Sequence, residues 1–104
     1  MSVSIVNDKN FNEETNKGIV VTDFWAEWCG PCKMQSPVIE DMANNITDVK
    51  FNKIDVDQNK DTARNLSIMA IPTLIIKKDG EIVERLTGFH TKEMLLKILD
   101  LYRS

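Results

Sequence analysis

The sequence contains little cysteine and no long apolar run. Only two of its 104 residues are cysteine and only one is histidine. No stretch approaches the roughly 18 consecutive apolar residues of a membrane-spanning helix. The first residues, MSVSIVNDKN, have neither the basic nor the apolar region of a secretory signal. We therefore expect a cytoplasmic protein that does not contact a membrane.

Positive charge is also thinly spread. There are 13 lysines and arginines against 16 acidic residues, the net charge is −3, and the chain has no basic stripe or arm. Nucleic-acid binding needs such a concentration of positive charge, so we do not expect a nucleic-acid partner. A chain of 104 residues with 42% hydrophobic residues can bury a core without metal or disulfide support. We expect residues 1–104 to form a single monomeric domain.

The first quarter of the chain has the pattern strand, helix, strand. Val3 and Ile5 alternate with serines, which predicts a short strand with one buried face. Asp8 offers an N-cap for a helix over residues 8–17. Residues 19–25 are mostly β-branched and aromatic, which is typical of a strand covered on both faces.

The remainder of the chain adds three helices and three strands. In order, the apolar patterns predict a helix over residues 31–46, a strand over 49–56, a short helix over 59–66, a strand over 73–76, a strand after Asp79-Gly80 and a helix from Lys92. Asp79-Gly80 is a hairpin signal, because a type I′ turn needs positive φ at both central residues. This order predicts an α/β fold with a central mixed β-sheet of about five strands, flanked by four helices.

Both cysteines lie in WCGPC, residues 28–32. As a structural cross-link, a disulfide that closes so short a loop would remove only about 2 kcal/mol of unfolded-chain entropy. As a zinc site, the pair supplies two thiolates where about four ligands are needed, and only His90 and carboxylates remain. A CxxC beside a βαβ pattern indicates a redox dithiol instead.

The position of Cys29 favours this redox interpretation. Cys29 follows a buried strand and precedes a helix that begins near Pro31, so the partial positive charge of the helix N-terminus should stabilise its thiolate, the attacking species. Cys32 lies one turn into the same helix, where side chains three residues apart share a face. A mixed disulfide at Cys29 can therefore be resolved by Cys32.

Asp23 is an acidic residue within the apolar stretch IVVTDFW. An ionised carboxylate is costly to bury, so Asp23 is neutral, paired or turned to the surface. If its strand is central, burial should raise the pKa of Asp23 and make it a proton acceptor for Cys32. Lys53 is the candidate cation beside it, with an ordinary surface lysine as the alternative.

These segments resemble the thioredoxin family over nearly the whole chain. The matching stretches, in the family's order and spacing, are DFWAEWCGPCK (residues 23–33), Pro37, KIDVDQN (53–59), IPTL (71–74), KDGE (78–81) and Gly88. The most specific of them is WCGPCK. The resemblance implies the thioredoxin fold and the activity of a protein-disulfide reductase that works by dithiol/disulfide exchange.

The resemblance also implies roles for single residues. Cys29 is expected to be the attacking nucleophile and Cys32 the resolving thiol, and together they form the redox disulfide. Asp23 and Lys53 match the family's buried proton-transfer carboxylate and its lysine neighbour, and Pro72 matches its cis-proline. A docking surface for target proteins is expected from Trp28, Gly30, Pro31, Ile71, Pro72 and Gly88.

By the same resemblance, the domain is expected to bind no cofactor and no metal. Electrons would come from NADPH through a flavin-dependent thioredoxin reductase, and the partners would be that reductase and disulfide-containing target proteins. Two alternatives stay open: a binding module that lends the same surface to a complex, and an electron carrier for one dedicated partner.

Several positions call for separate expectations. Gln35 and Ser36 stand where the family commonly has apolar or small residues, and the Ser36 hydroxyl is expected to bond a helix carbonyl or to approach the site and shift the redox potential slightly. Lys77 stands where a large apolar residue is usual, which predicts a more exposed strand edge. His90, after Gly88, is expected on the solvated surface.

Overall fold

Five strands and four helices follow one another in the predicted order. The computed structural model describes residues 3–103, so the first two residues and the last, which we assigned to the same domain, lie outside the described residues. The elements are β1 (Val3–Ile5), α1 (Phe11–Glu14), β2 (Ile19–Trp25), α2 (Gly30–Asn45), β3 (Val49–Asp55), α3 (Lys60–Asn65), β4 (Thr73–Lys78), β5 (Glu81–Thr87) and α4 (Lys92–Asp100).

The strands form one mixed sheet in the order β1-β3-β2-β4-β5. β2 is parallel to β3 and antiparallel to β4, and these two pairings together span the whole of β2. β1 adds a parallel edge beside β3, and β4 and β5 form an antiparallel hairpin. The predicted α/β fold with a mixed sheet of five strands and four helices is confirmed.

Apolar layers cover both faces of the sheet. The layer that includes α2 and α4 contains Met42, Phe51 and Leu99, and the layer that includes α1 contains Phe11 and Phe24. Burying each such side chain contributes about 1.5–3 kcal/mol. β2 lies between the two layers, as the prediction of a strand covered on both faces requires.

The first helix is shorter than predicted, and Asp8 caps a different helix. α1 is a single turn that begins after Asn10. The Asp8 carboxylate accepts hydrogen bonds from the backbone N–H groups of Thr62 (2.9 Å) and Asp61 (3.3 Å), in the first turn of α3. The prediction that Asp8 is the N-cap of the first helix is therefore wrong: Asn10 is the N-cap residue of α1, and the carboxylate of Asp8 bonds a helix more than 50 residues along the chain. Ile5, predicted to be buried, is exposed on the edge strand β1.

The hairpin turn at Asp79-Gly80 is confirmed and also anchors the start of β2. Asp79 and Gly80 have φ values of 50° and 88°. The Asp79 carboxylate accepts a hydrogen bond from Gly18 N–H (2.8 Å), and Asp79 N–H donates to the Gly18 carbonyl (2.9 Å). These two bonds hold the β4–β5 turn against the segment that leads into the central strand.

Lys77 is buried, so the prediction of an exposed strand edge at this position is wrong. Its side chain is 8% exposed, because β4 lies inside the sheet between β2 and β5. The ammonium donates a hydrogen bond to Thr15 Oγ1 (2.9 Å) and lies 4.8 Å from the centroid of the Phe11 ring. Burial lowers the pKa of Lys77, because a neutral hydroxyl and an aromatic face compensate only partly for lost hydration.

We predict that Lys77→Met stabilises the protein by about 1 kcal/mol at neutral pH, because it removes a buried charge. Thr15 Oγ1 keeps its hydrogen bond to the Phe11 carbonyl (2.7 Å). Since the folded-state pKa of Lys77 lies below the unfolded value of 10.5, the unfolded state binds more protons between these two values. Wild-type stability therefore rises with pH in that window, and the advantage of the variant should shrink there.

Urea unfolding of the disulfide form at several pH values tests this prediction. Lys78→Met, at the exposed neighbouring position, is the matched control and should change the unfolding free energy by less than about 0.5 kcal/mol. A loss of stability in Lys77→Met would mean that the hydrogen bond and the ring contact outweigh the cost of burial.

Candidate active site

The two cysteines lie at the N-terminus of α2, which begins five residues after β2 ends. Cys29 is the N-cap residue and Pro31 lies in the first turn. Cys29 and Cys32 are joined as a disulfide, with their Cα atoms 5.3 Å apart, and both are buried. The Cys32 backbone N–H donates to Cys29 Sγ at 3.2 Å. In the reduced form, a donor and a positive helix end directed at this sulfur stabilise a thiolate.

Two further segments of chain meet the cysteines. The Ile71–Pro72 peptide is cis, the isomer that the resemblance implied. The Ile71 carbonyl oxygen lies 3.7 Å from Cys29 Sγ, and the Pro72 carbonyl accepts a hydrogen bond from Gly88 N–H at 2.8 Å. Gly88 has φ 90°, a conformation that glycine adopts at little cost. The fold therefore brings together the predicted residues of the cysteine segment, of Ile71–Pro72 and of the segment that contains Gly88.

Trp28 is a surface residue beside the disulfide. Its side chain is 69% exposed, and its indole Nε1–H donates to Asp57 Oδ2 at 2.7 Å. Gly30 and Pro31 are also exposed, whereas Pro72 is buried. A cavity of about 410 Å³ adjoins Trp28 and is lined by Ile68, Met69 and Ile71 among others.

Asp57 and Met69 were missed as site residues in the sequence. Asp57 belongs to the KIDVDQN match, but no local pattern links it to Trp28, which is 29 residues away. Met69 is almost fully exposed. Its place two residues before Ile71 was the available signal, because residues next to an expected substrate-binding segment are candidates for the same surface.

Asp23 is buried in the central strand. It is 2% exposed, and its Oδ1 has no hydrogen-bond partner among residues 3–103. Burial raises the pKa of Asp23 to about 7, and the positive charge of Lys53 offsets part of that rise. Of the three states considered for Asp23, the surface position is excluded, and the carboxyl group titrates near neutral pH.

Lys53 lies beside Asp23 in the adjacent strand. The two residues are register partners between β2 and β3. The half-buried Lys53 side chain places Nζ 5.3 Å from the centroid of the Trp25 ring. A cavity of about 480 Å³, which we call the active-site cavity, is lined by Asp23, Trp25, Cys32, Ser36 and Lys53 among others. The carboxyl group, the cation and the second cysteine thus share one space.

Gln35 makes a contact that the sequence did not predict. It is fully buried, with 0% exposure. Its Nε2 donates to the His90 carbonyl (3.0 Å), and its Oε1 accepts from the His90 backbone N–H (2.8 Å). The one available signal was helical spacing, because Gln35 lies on the buried face of α2 with Cys32, Ile39 and Met42.

Of the two alternatives expected for Ser36, the structure shows the approach to the site, whereas the expectation for His90 needs correction. Ser36 Oγ donates to Glu40 Oε2 at 3.1 Å and not to a helix carbonyl, although the residue does line the active-site cavity. His90 is half-buried and not fully solvated, with its ring Nδ1 2.9 Å from the Gly88 carbonyl.

Among residues 3–103, no three His, Cys, Asp or Glu side chains gather into a group that could hold a metal ion. Within the same part of the chain, no helix is both long enough and apolar enough to cross a membrane.

Comparison with known proteins identifies the family. The thioredoxin family model matches residues 2–101. The chain belongs to the thioredoxin family. Thioredoxin from Bacillus subtilis (strain 168) is 46% identical over 101 residues, covering 96% of this chain and 97% of the relative. Thioredoxin from Staphylococcus haemolyticus (strain JCSC1435) is 48% identical over 102 residues, covering 96% and 97%.

A solved structure gives the same result for the fold. A single-residue mutant of thioredoxin from Halobacterium salinarum NRC-1 has a TM-score of 0.91 and 33% sequence identity, covering 99% of this chain and 92% of that chain. The predicted family and thioredoxin fold are confirmed. With the Cys29–Cys32 pair at bonding distance, the chain is a thiol–disulfide oxidoreductase of the dithiol–disulfide reductase type.

The raised pKa of Asp23 predicts a specific pH dependence of stability. Between the unfolded value of 3.8 and the folded value of about 7, the folded state binds more protons than the unfolded state. The free energy of unfolding therefore falls as the pH rises through this window. In Asp23→Asn this slope should vanish, so that the variant gains about 2–4 kcal/mol relative to wild type between pH 4 and pH 8.

Urea unfolding of the disulfide form, in which the cysteines do not titrate, measures this difference. Glu13→Gln removes one exposed negative charge from α1 and serves as the control for net charge. Parallel pH profiles for wild type and Asp23→Asn would contradict a buried carboxyl group that titrates near pH 7.

Proposed function

We propose that Cys29 attacks the disulfides of target proteins and that Cys32 resolves the product. The observation that carries this assignment is the Cys32 backbone N–H directed at Cys29 Sγ at the N-terminus of α2. The helix end lowers the free energy of a thiolate at Cys29 more than at Cys32, which lies one turn further along the helix.

The exchange proceeds in two balanced steps. The Cys29 thiolate attacks one sulfur of the target disulfide, a Cys29–target bond forms, and the other target sulfur leaves as a thiolate. The Cys32 thiolate then attacks Cys29 Sγ, the Cys29–target bond breaks, and the second target thiolate is released. Two electrons pass to the target, and Cys29 and Cys32 are left as a disulfide.

Asp23 is the proposed proton acceptor for Cys32. A general base works best when its pKa is close to the working pH, and the pKa of Asp23 is about 7. Both residues line the active-site cavity, which provides space for proton transfer. Lys53 acts by favouring the ionised form of Asp23, and its contact with the Trp25 ring holds the cation near the carboxylate.

Targets are proposed to bind at the docking surface formed by Trp28, Gly30, Pro31, Ile71, Pro72 and Gly88. This surface surrounds Cys29 and is mostly apolar, and Ile71 offers backbone hydrogen bonds to an extended target segment. The exposed side chain of Met69 extends the surface beyond Trp28. A flexible methionine suits a surface that accepts many partners, which favours a general reductase over a carrier for one partner.

Reduction of the Cys29–Cys32 disulfide is assigned to a flavin-dependent thioredoxin reductase that draws electrons from NADPH. The domain itself then needs no bound cofactor. Its partners are this reductase and disulfide-containing proteins of the cytoplasm, and residues 1–104 act as a single monomeric domain. Support comes from relatives named thioredoxin that match the chain over nearly their whole length.

The two cysteine variants test the assignment of roles. With dithiothreitol as the electron source, Cys29→Ser should abolish the catalysed reduction of insulin disulfides, because the attacking sulfur is lost. Cys32→Ser should instead accumulate a mixed disulfide between Cys29 and the target, because the resolving step is blocked. Mass spectrometry of acid-quenched reactions identifies the trapped species.

Tryptophan fluorescence and cooperative unfolding show whether each variant is folded. Accumulation of a mixed disulfide at Cys32 in folded Cys29→Ser would reverse the two roles. Full insulin reduction by folded Cys29→Ser, Cys32→Ser would exclude dithiol chemistry at this site.

A further inference from the structure

We infer that Gln35 is a positioning residue that fixes the loop of residues 88–91 at the docking surface. This inference rests on the proposed function, in which Gly88 is part of that surface. The loop joins β5 to α4 and reaches the disulfide region through the bond between Gly88 N–H and the Pro72 carbonyl. Gln35 holds the loop to the helix that carries both cysteines.

The two hydrogen bonds of Gln35 give the contact a fixed geometry. Its amide bonds both backbone groups of His90, accepting from the N–H at 2.8 Å and donating to the carbonyl at 3.0 Å. A buried amide is costly unless it is bonded, so the fully buried side chain favours the conformation that keeps both contacts. An apolar residue at this position cannot make either bond.

The other backbone hydrogen bonds described for the loop do not involve the N–H or the carbonyl of His90, which both bond to Gln35. Gly88 N–H is bonded to Pro72, and Thr91 Oγ1 accepts from Met94 N–H (3.2 Å) at the start of α4. These bonds hold the two ends of the loop. Phe89, exposed and next to His90, lies between them. Release of His90 would therefore let Phe89, next to Gly88, shift relative to Cys29.

The placement of Gln35 couples the loop to the active-site helix. Gln35 lies three residues after Cys32, one turn along α2. Because Cys32 and Gln35 lie in the same helix, the Gln35 amide has a fixed position relative to the disulfide. The hydrogen bonds of that amide fix the position of the loop in turn. The effect falls on target binding and not on the thiol chemistry, because Gln35 contacts neither sulfur nor Asp23 in the hydrogen bonds described for residues 3–103.

Gln35→Met is the variant that isolates this contact. Methionine is unbranched and similar in length, so it fits the helix and the core while removing both hydrogen bonds. Gln35→Ala, which cannot introduce a steric clash, carries the same expectation if the methionine is poorly accommodated. The matched control is Asp41→Asn, which breaks the exposed ion pair of Asp41 Oδ2 with Lys92 Nζ (2.9 Å), a weak tie between α2 and α4.

Two measurements test the inference. Amide hydrogen exchange at His90 should accelerate about tenfold or more in Gln35→Met, because the backbone N–H loses its acceptor. In stopped-flow reduction of insulin by the prereduced protein, the half-saturating insulin concentration should rise about three- to tenfold while the limiting rate stays unchanged. The rate with oxidised glutathione, too small to contact the loop, should change less than about twofold.

Each outcome separates the inference from the proposed function. Unchanged half-saturation in a variant whose His90 amide exchanges faster would overturn the positioning role, and so would unchanged exchange. An equal loss with insulin and with glutathione would also overturn it, because it would place the effect on the chemistry. Failure of the proposed function would give a different result. The wild-type protein itself would then react with insulin no faster than it reacts with oxidised glutathione.

Discussion

The central position of β2 (Ile19–Trp25) places Asp23 and the two cysteines next to one another. β2 has a strand on each side and an apolar layer over each face, so a carboxylate near its end is buried whichever way it points. Asp23 is that carboxylate. The chain then leaves the carboxyl end of the strand, which is where open α/β sheets bind their ligands. It enters α2, and Cys29 is the N-cap residue of that helix. The cysteines and the carboxyl group are neighbours because one strand leads directly to both.

The site has opposite effects on its two acidic groups, the Cys29 thiol and the Asp23 carboxyl group. A helix N-terminus and a backbone N–H favour the ionised form of Cys29, whereas burial disfavours the ionised form of Asp23. The positive charge of Lys53 offsets part of this effect of burial on Asp23. Lys53 does so without forming a close ion pair, because its ammonium lies over the Trp25 ring. In the proposed mechanism, this difference in proton affinity lets Cys29 attack while Asp23 accepts a proton at the same pH.

The fold was readable from sequence wherever the decisive pattern is local. The ends of β2 and the turn at Asp79-Gly80 depend on neighbouring residues and were predicted correctly. Asp8 was predicted to be the N-cap of the first helix, and this was wrong because its hydrogen-bond partners lie in α3, more than 50 residues along the chain. The role of Gln35 was hidden for the same reason, since its partner is the backbone of His90, 55 residues away. The cis bond before Pro72 followed only from the family resemblance, because sequence alone favours trans.

Gln35 and Lys77 are similar departures with different consequences. Each places a polar side chain where the resemblance led us to expect an apolar or small one, and each is buried. Lys77 donates its hydrogen bond to Thr15 next to α1, on the sheet face opposite to α2, and Thr15 is not a residue of the proposed docking surface. Gln35 forms both of its bonds with a loop that reaches the disulfide through Gly88 and Pro72. The effect of a buried polar group on function therefore depends on the segment that it bonds. Of these two segments, only the loop bonded by Gln35 includes a residue of the proposed docking surface, Gly88.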